Sequence, residues 1–318
     1  MRKMTKQYML YGLVVESAVE LPELVEVTNA VPDVEVRLGE ACLGPGPVTF
    51  KGLDFATTAN SYFLEVDGVA KYSVTDGSTI VVEPIKCEKD GDHGPSAADV
   101  RLFLLGSCFG ALLHQRGELP IHMSAVHAPS GVWGFTGPSG AGKSTLAGWL
   151  HCRHGWQLVS DDVAVIRFQD GVPLVYPGPR RLKLWEQSLE AIGLNLGNAV
   201  QDLSNTPKFQ LYLNSVLEFD RAPLCELVLL ERDSSGEKPR FQSLSGAASF
   251  DACIKAVYRP VFVGIFRDPA AFFRDIVMLC AGIRVSRFVR PWDLKNIEYS
   301  IEPLVGEMDG QGVKATGP

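Results

Sequence analysis

The sequence predicts an α/β protein in which a strand, a glycine-rich loop and a helix form the centre of a core preceded by a smaller β-rich N-terminal domain. Three observations carry this. Val132-Trp133-Gly134-Phe135-Thr136 is a short apolar run suited to a buried strand, Gly137-Pro138-Ser139-Gly140-Ala141-Gly142 is dense in small residues, and Thr145-Leu146-Ala147-Gly148-Trp149-Leu150 has helical apolar spacing. About two dozen residues past the loop, Trp156-Gln157-Leu158-Val159-Ser160 is a second apolar strand ending in Asp161-Asp162. Residues 7 to about 85, by contrast, carry short alternating runs broken by Gly, Pro, Asn and Asp.

In chain order, the runs Tyr8-Leu10-Gly12-Val14, Val34-Val36-Leu38, Tyr62-Leu64-Val66 and Tyr72-Val74 read as strands, with Asp67-Gly68 and Asp76-Gly77 as hairpin turns. Cys87 to Ser96 is polar and turn-rich and reads as the linker, with His93 as a solvated loop residue. Ala97 to Arg116 has helical apolar spacing closed by Gly117, predicting one buried helix. Leu119 to Val126 reads as a strand carrying His122, able to pair with the Val132–Thr136 strand after a turn at Ser130-Gly131. Cys225 to Leu230 reads as a central strand, Ala256 to Pro260 as a helix end, and Phe272 to Cys280 as an amphipathic helix. The expected divisions are a β-rich domain over 1–90, the α/β core over 97–305 and a flexible tail over 306–318.

Composition narrows the function classes. With 318 residues, 46% hydrophobic and 21% charged, the chain can build one large or two moderate domains. A net charge of -7 and a pI near 5.5 argue against general nucleic-acid binding, which needs a basic face. The seven cysteines are scattered and form no C-x-x-C pair, which fits reduced thiols rather than disulfides or zinc. No signal-like block follows Met1-Arg2-Lys3-Met4, and no apolar run reaches the ~18 residues of a membrane span, so the expected compartment is the cytoplasm, with no membrane partner.

The loop carries the chemistry. Gly137 to Thr145 fits the pattern of a Gly, four free positions, Gly-Lys and Ser or Thr. Small residues let its N–H groups turn inward to cradle phosphate oxygens at a helix N-terminus. Lys143 adds a point charge and Ser144 a magnesium-ligating hydroxyl. The Asp161-Asp162 pair falls where a magnesium-binding acid is expected, beyond the carboxyl end of a strand. One acid can hold magnesium and the other accept a proton from an attacking hydroxyl, without the residues alone deciding which. Arg180, Arg181 and Lys183, with the isolated Lys208, read either as an anion clamp or as a solvated loop around a structural Trp185. Arg259 is a further candidate phosphate contact, and Glu231 reads as structural.

From His122 through the loop to Asp161-Asp162 the chain resembles the catalytic domain of HPr kinase/phosphorylase, a bacterial serine kinase with a phosphoenolpyruvate-carboxykinase-like nucleotide fold. The interval from His122 to Gly137 matches that family, and Arg153-His154-Gly155 leads to the Asp pair as its glycine-containing turn does. Val285-Ser286-Arg287-Phe288-Val289-Arg290-Pro291 and Leu294-Asn296-Ile297-Glu298 resemble its closing strand and helix. Tyr11-Gly12-Leu13, Leu21-Pro22 and Gln115-Arg116-Gly117 are similar to the HPr-kinase-related proteins of lasso-peptide biosynthesis. The chain departs from the family at Thr145, where the family has Glu, in a one-residue-longer interval to the Asp pair, and in lacking a Glu-Ile-Arg-Gly signature; Pro177 to Trp185 occupies that region.

The resemblance implies that Gly137, Ser139, Gly140, Gly142, Lys143 and Ser144 bind phosphate and magnesium, with Pro138, Ala141 and Thr145 completing the loop. It further implies Asp162 as base, Asp161 as a magnesium or water contact and His122 as a neighbour that tunes them. The expected activity is ATP- and Mg2+-dependent transfer of the γ-phosphoryl group to a serine hydroxyl of a peptide, such as the C-terminal serine of a lasso precursor. The alternatives are an HPr-type protein serine kinase, a small-molecule hydroxyl kinase and a non-catalytic nucleotide sensor. The expected partners are a serine-bearing peptide or protein and the nucleotide, with a homo-oligomer left open.

Overall fold

A computed structural model describes residues 5–85, 96–194, 199–201, 208–213, 217–233 and 238–310. The expected linker lies outside them except for Ser96, as do His93 and Cys87. The described residues form a mixed α/β structure with several sheets, divided into two compact units. One takes Met1–Pro120 and Tyr258–Phe273; the other takes Ile121–Gln201, Asn205–Val257 and Arg274–Pro318.

The first unit is built on β1 (Lys6–Leu10), β2 (Leu13–Ser17), β3 (Val25–Val27), β4 (Val34–Leu38), β5 (Phe50–Lys51), β6 (Phe55–Thr57), β7 (Ser61–Val66), β8 (Ala70–Thr75) and β9 (Thr79–Pro84). They form one sheet in the order β3-β1-β2-β4-β9-β8-β7-β6-β5. Alternation decides the faces: Tyr8 and Leu10 are buried while Met9 is exposed, and Val34 and Val36 are buried between more open neighbours. Asp76 and Gly77 turn β8 into β9 with φ of 54° and 61°. The apolar run expected as one strand through Gly12 is instead a hairpin. Tyr11 and Gly12 take φ of 53° and 71°, the paired left-handed geometry of a two-residue turn matched to strand twist.

Above this sheet run α1 (Ala97–Phe103) and α2 (Phe109–Gln115), joined by a π-helical turn at Leu104–Cys108 into one continuous helix. Ser96 and Asp99 form a reciprocal capping box at its start. At its end, Gln115 accepts from the Gly77 N–H and Arg116 donates to the Gly77 carbonyl, so the helix terminus holds the β8–β9 turn. Among the described residues this is the one helix long and apolar enough to cross a membrane, and 83% of that stretch is buried in the protein. Phe262, between Tyr258 and the short α6 (Val263–Phe266), packs edge-on against Phe55, Tyr62 and His114.

After β10 (Leu119–Ile121), within which the chain passes from the first unit to the second, come β11 (Ser124–Ala128), β12 (Gly131–Thr136), α3 (Lys143–His154), β13 (Gln157–Ser160), β14 (Ala164–Gln169) and β15 (Val172–Tyr176). Then come β16 (Arg181–Trp185), α4 (Glu186–Ile192), β17 (Ala199–Gln201), β18 (Lys208–Tyr212), β19 (Ala222–Arg232), β20 (Arg240–Leu244) and α5 (Gly246–Lys255). After α7 (Pro269–Gly282) the chain closes with β21 (Arg284–Arg290) and α8 (Ile297–Met308). The main sheet runs β14-β15-β19-β12-β11-β13, with β21 on β19 and β20 on β21. β12, β19 and β21 are mutually parallel neighbours, so their carboxyl ends lie on one side. Gly131 is required at the β11–β12 turn, because with φ 115° a Cβ there would lie 2.3 Å from the Cys225 sulfur.

The core lies where α3, α4 and α8 bury Leu146, Leu150, Leu189, Ile301, Leu304 and Met308 against Trp133, Phe135, Val228 and Phe288 of the sheet. Residues 306–308 of the expected flexible tail over 306–318 belong to α8. Ile297, Ile301, Leu304 and Met308 form one apolar stripe that carries α8 through Met308, whose carbonyl accepts from Ser130 at 2.6 Å. Residues 311–318 lie outside the described set. The described cysteines are free thiols; Cys108 and Cys253 are buried, whereas Cys42 and Cys152 are exposed.

In the first unit, Arg101 Nε donates to Glu23 Oε1 at 2.6 Å with both side chains buried. Removing one member leaves a buried charge without its partner. Glu23→Ala should therefore cost about 3–5 kcal/mol in urea denaturation, and the double replacement Glu23→Leu, Arg101→Met clearly less.

Candidate active site

The site is built at the carboxyl end of β12. Gly137, Gly140 and Gly142 take φ of 144°, 79° and 75°, so the loop bends where side-chain-bearing residues rarely can. At Gly137 a Cβ would also lie 2.7 Å from the Leu230 carbonyl of β19. Helix α3 then starts at Lys143, presenting its free N–H groups to the loop's concave side. Pro138, Ser139 and Gly140 are exposed and Ala141 is buried. Lys143 is buried and folds back across the loop, donating to the Gly137 and Pro138 carbonyls at 2.9 and 3.3 Å. Thr145 turns inward to Ser188 at 3.0 Å, whereas Ser144 faces the open side.

A cavity of about 530 Å³ opens there. Ser139 to Thr145, His122, Asp162, Lys183, Trp185, Arg232, Arg290, Trp292 and Asp293 line it. Lys143, Lys183, Arg232 and Arg290 against Asp162 and Asp293 make it cationic, in a chain whose net charge is -7. A hollow of this sign against a helix N-terminus suits a polyanion.

The two acids part company at the end of β13. Asp161 is buried; its Oδ1 accepts from Ser124 Oγ at 2.5 Å and its Oδ2 from the Lys183 backbone N–H at 2.8 Å. It does not line the cavity. Asp162 takes φ 79°, a left-handed conformation that Asp tolerates better than most residues, and this turns its carboxylate into the cavity. Its Oδ2 accepts from Lys183 Nζ at 3.0 Å. Burial works to raise this carboxyl, but Lys183 and then His122 outweigh it and hold it well below the usual carboxylate range.

His122 was expected on a strand; it sits between β10 and β11, and only Ser124–Ala128 pairs with β12. Met123 and His122 leave the sheet there, the Thr136 hydroxyl holding the His122 carbonyl at 3.0 Å. The ring Nδ1 is 2.8 Å from the Asp162 carbonyl, which accepts its proton, and 3.5 Å from the carboxylate. Burial lowers its pKa despite the nearby acid, so the imidazole is neutral at pH 7.

Strand alternation sets Leu182 and Leu184 of β16 apart from the basic residues, and the basic cluster is then divided by its partners. Leu182 and Leu184 enter the core, and of the basic residues only Lys183 lines the cavity. Arg181 is buried and donates to Gln210 at 3.1 Å, and Arg180 precedes the strand. Lys208 opens β18 opposite Trp185. Arg259 belongs to the first unit, where its guanidinium donates to Ser107 at 2.7 Å. Glu231, expected to be structural, pairs with Arg287 at 3.2 Å and does not line the cavity.

Sequence reasoning missed Arg232, Arg290, Trp292 and Asp293. Arg290 and Pro291 entered it only as part of a closing strand, yet an arginine at the carboxyl end of a strand parallel to the loop strand was the available signal.

Among the described residues no group of three or more His, Cys, Asp or Glu is placed to hold a metal. Magnesium at phosphate sites needs only one or two protein ligands besides phosphate and water, and the Ser144 hydroxyl and Asp162 carboxylate on the same cavity fit that demand; Asp161, with both oxygens engaged within the protein, does not.

No family model and no curated protein matches the chain. Among solved structures the HPr(Ser) kinase/phosphatase from Coxiella burnetii is similar, at 12% identity over 61% of this chain and 99% of that one, with a TM-score of 0.32.

The Lys183 contact generates a prediction with a definite sign. A carboxylate with a depressed pKa contributes stability that is present above its unfolded-state value and lost as pH falls through the folded one. Wild-type Asp162 should stay ionised throughout the mildly acidic range. In Lys183→Met its titration, followed by carboxyl NMR, should move up into the ordinary carboxylate range, and acid unfolding should begin at higher pH.

Proposed function

We propose that the chain is an ATP- and magnesium-dependent kinase that transfers the γ-phosphoryl group to a hydroxyl, with a peptide serine as acceptor. The observation that supports this most is the convergence of the Gly137–Thr145 loop, the buried Lys143 and the inward-turned Asp162 carboxylate on one cationic cavity. A fold of the HPr-kinase kind, which the sequence resembles, gives the same reading.

Loop N–H groups and the α3 N-terminus hold the phosphate chain, and Lys143 leaves its resting carbonyl contacts to meet phosphate oxygens. Magnesium, when bound, neutralises charge on the transferring group; Ser144 and Asp162 are the residues to hold it. Asp162 is a weak base, because the Lys183 ammonium stabilises its charged form. Its work is therefore to orient the acceptor hydroxyl rather than to abstract the proton early, which suffices for a loose, largely dissociative transition state. Neutral His122 fixes the Asp162 backbone through the 2.8 Å contact. Lys183 lines the same cavity, and we assign it the finer role of meeting a peptide's terminal carboxylate if the acceptor is a C-terminal serine, as in lasso precursors.

The direct test is incubation with ATP and peptides ending in serine, read by mass spectrometry. The expected gain is one phosphate, absent when the serine is alanine and weaker when the terminus is amidated. A modified metabolite instead selects the small-molecule kinase, and tight ATP binding without turnover selects the sensor. Lys143→Ala should lose nucleotide affinity and on the order of 10²-fold or more in rate with the fold intact. Asp162→Asn should keep ATP binding and lose roughly 10²-fold in rate.

A further inference from the structure

Arg290 ends β21 in register with Arg232 at the end of β19, so the two arginines stand at the carboxyl ends of adjacent parallel strands. Both line the cavity. Arg290 is only 4% exposed, and its Nη2 lies 3.3 Å from where a Cβ on Gly142 would be, which places the head group against the last loop residue before Lys143. Its hydrogen bonding is poor. Nε has no partner, Nη1 reaches Ser300 at 3.4 Å, and no ion pair holds it among the described residues. Burial without a counter-charge lowers its pKa to about 10. Two residues on, Trp292 lines the same cavity, and its buried indole Nε1 also lacks a partner.

Buried charges are paired, or they cost several kcal/mol. A buried arginine beside a phosphate-type loop, facing a cavity already cationic, has its compensation on the ligand. Resting on the nucleotide reading above, we propose that Arg290 is a phosphate-binding residue of the site: its guanidinium, set against Gly142 at the end of the loop, donates to oxygens of the bound polyphosphate alongside Lys143. Trp292 and Arg232, whose guanidinium lies 5.7 Å from the Trp292 ring, line the same cavity, and Arg232 adds positive charge. The pairing suits a forked donor, and a lysine replaces it only in part.

The test uses the full chain and two probes, ATP and inorganic pyrophosphate, with calorimetric affinity and the melting temperature of the ligand-free protein both read. In Arg290→Met the ligand-free protein should melt at the same temperature or higher, because an unpaired buried charge is gone, while affinity for both probes falls roughly 10- to 100-fold. Arg290→Lys should recover part of that loss, and Trp292→Phe should weaken binding by less. A lowered melting temperature in Arg290→Met with affinities within twofold of wild type makes Arg290 structural and overturns the proposal. If Arg290→Met does not fold, Arg290→Lys decides: wild-type affinity overturns the proposal, a tenfold loss supports it. Lys143→Ala separates the two ideas. Loss of binding there with full binding in the Arg290 variants keeps the nucleotide reading and removes this one, whereas wild-type protein that binds neither probe overturns both.

Discussion

The buried Asp161 carboxylate is the fixed point of the second unit. It receives the Ser124 hydroxyl from β11 and the Lys183 backbone N–H from β16 while sitting at the end of β13, so three strands from separate parts of the chain are tied at one charge. Hydrogen bonds to a charged acceptor contribute about 1.5–3 kcal/mol each, enough to hold a strand end against fraying. Everything chemical is placed relative to that tie. Asp162 departs from it in a left-handed turn, Lys183 is presented to Asp162 by the same strand whose backbone Asp161 holds, and His122 reaches the Asp162 carbonyl from the segment just before Ser124. The paired acids thus perform unlike tasks, one building the wall and the other facing the cavity.

The electrostatic consequence is a compromise. Lys183 keeps Asp162 charged, which favours a cation and a hydroxyl as neighbours, and by the same contact deprives it of basicity. A reaction that needs positioning and charge neutralisation more than proton abstraction is the one such an arrangement serves. The acidic chain concentrates four basic residues around one hollow, and that contrast carries more information than its overall pI.

Much of this was legible because it is local. The glycine loop, the strand before it, the helix after it and the acids at the end of β13 each lie within a short window where periodicity and small-residue density speak directly. The rest depends on contacts between distant segments. Nothing near Tyr11-Gly12 distinguishes a turn from a strand interior except the two left-handed dihedrals. The split between Asp161 and Asp162 is decided by Ser124 and by a strand 22 residues on, and the run Arg180 to Lys183 reads as one patch although Arg181 and Lys183, on the same face of β16, meet different partners, Gln210 and Asp162. Arg290 is the extreme case: it meets Gly142 only because β21 lies two strands from β12 in a parallel sheet.

Phe262 gives the first unit a history as well as a core. Its ring is packed among Phe55, Tyr62 and His114, residues completed well before it in sequence. During synthesis, at about 5–20 residues per second, the early sheet and helix wait on the order of ten seconds for that ring to emerge. In that interval an aromatic-lined hollow is open on a nascent chain whose glycine loop is already made. The order of translation therefore leaves the N-terminal sheet and helix unsealed until Phe262 is made, while the second unit closes later still, with β21 and α8.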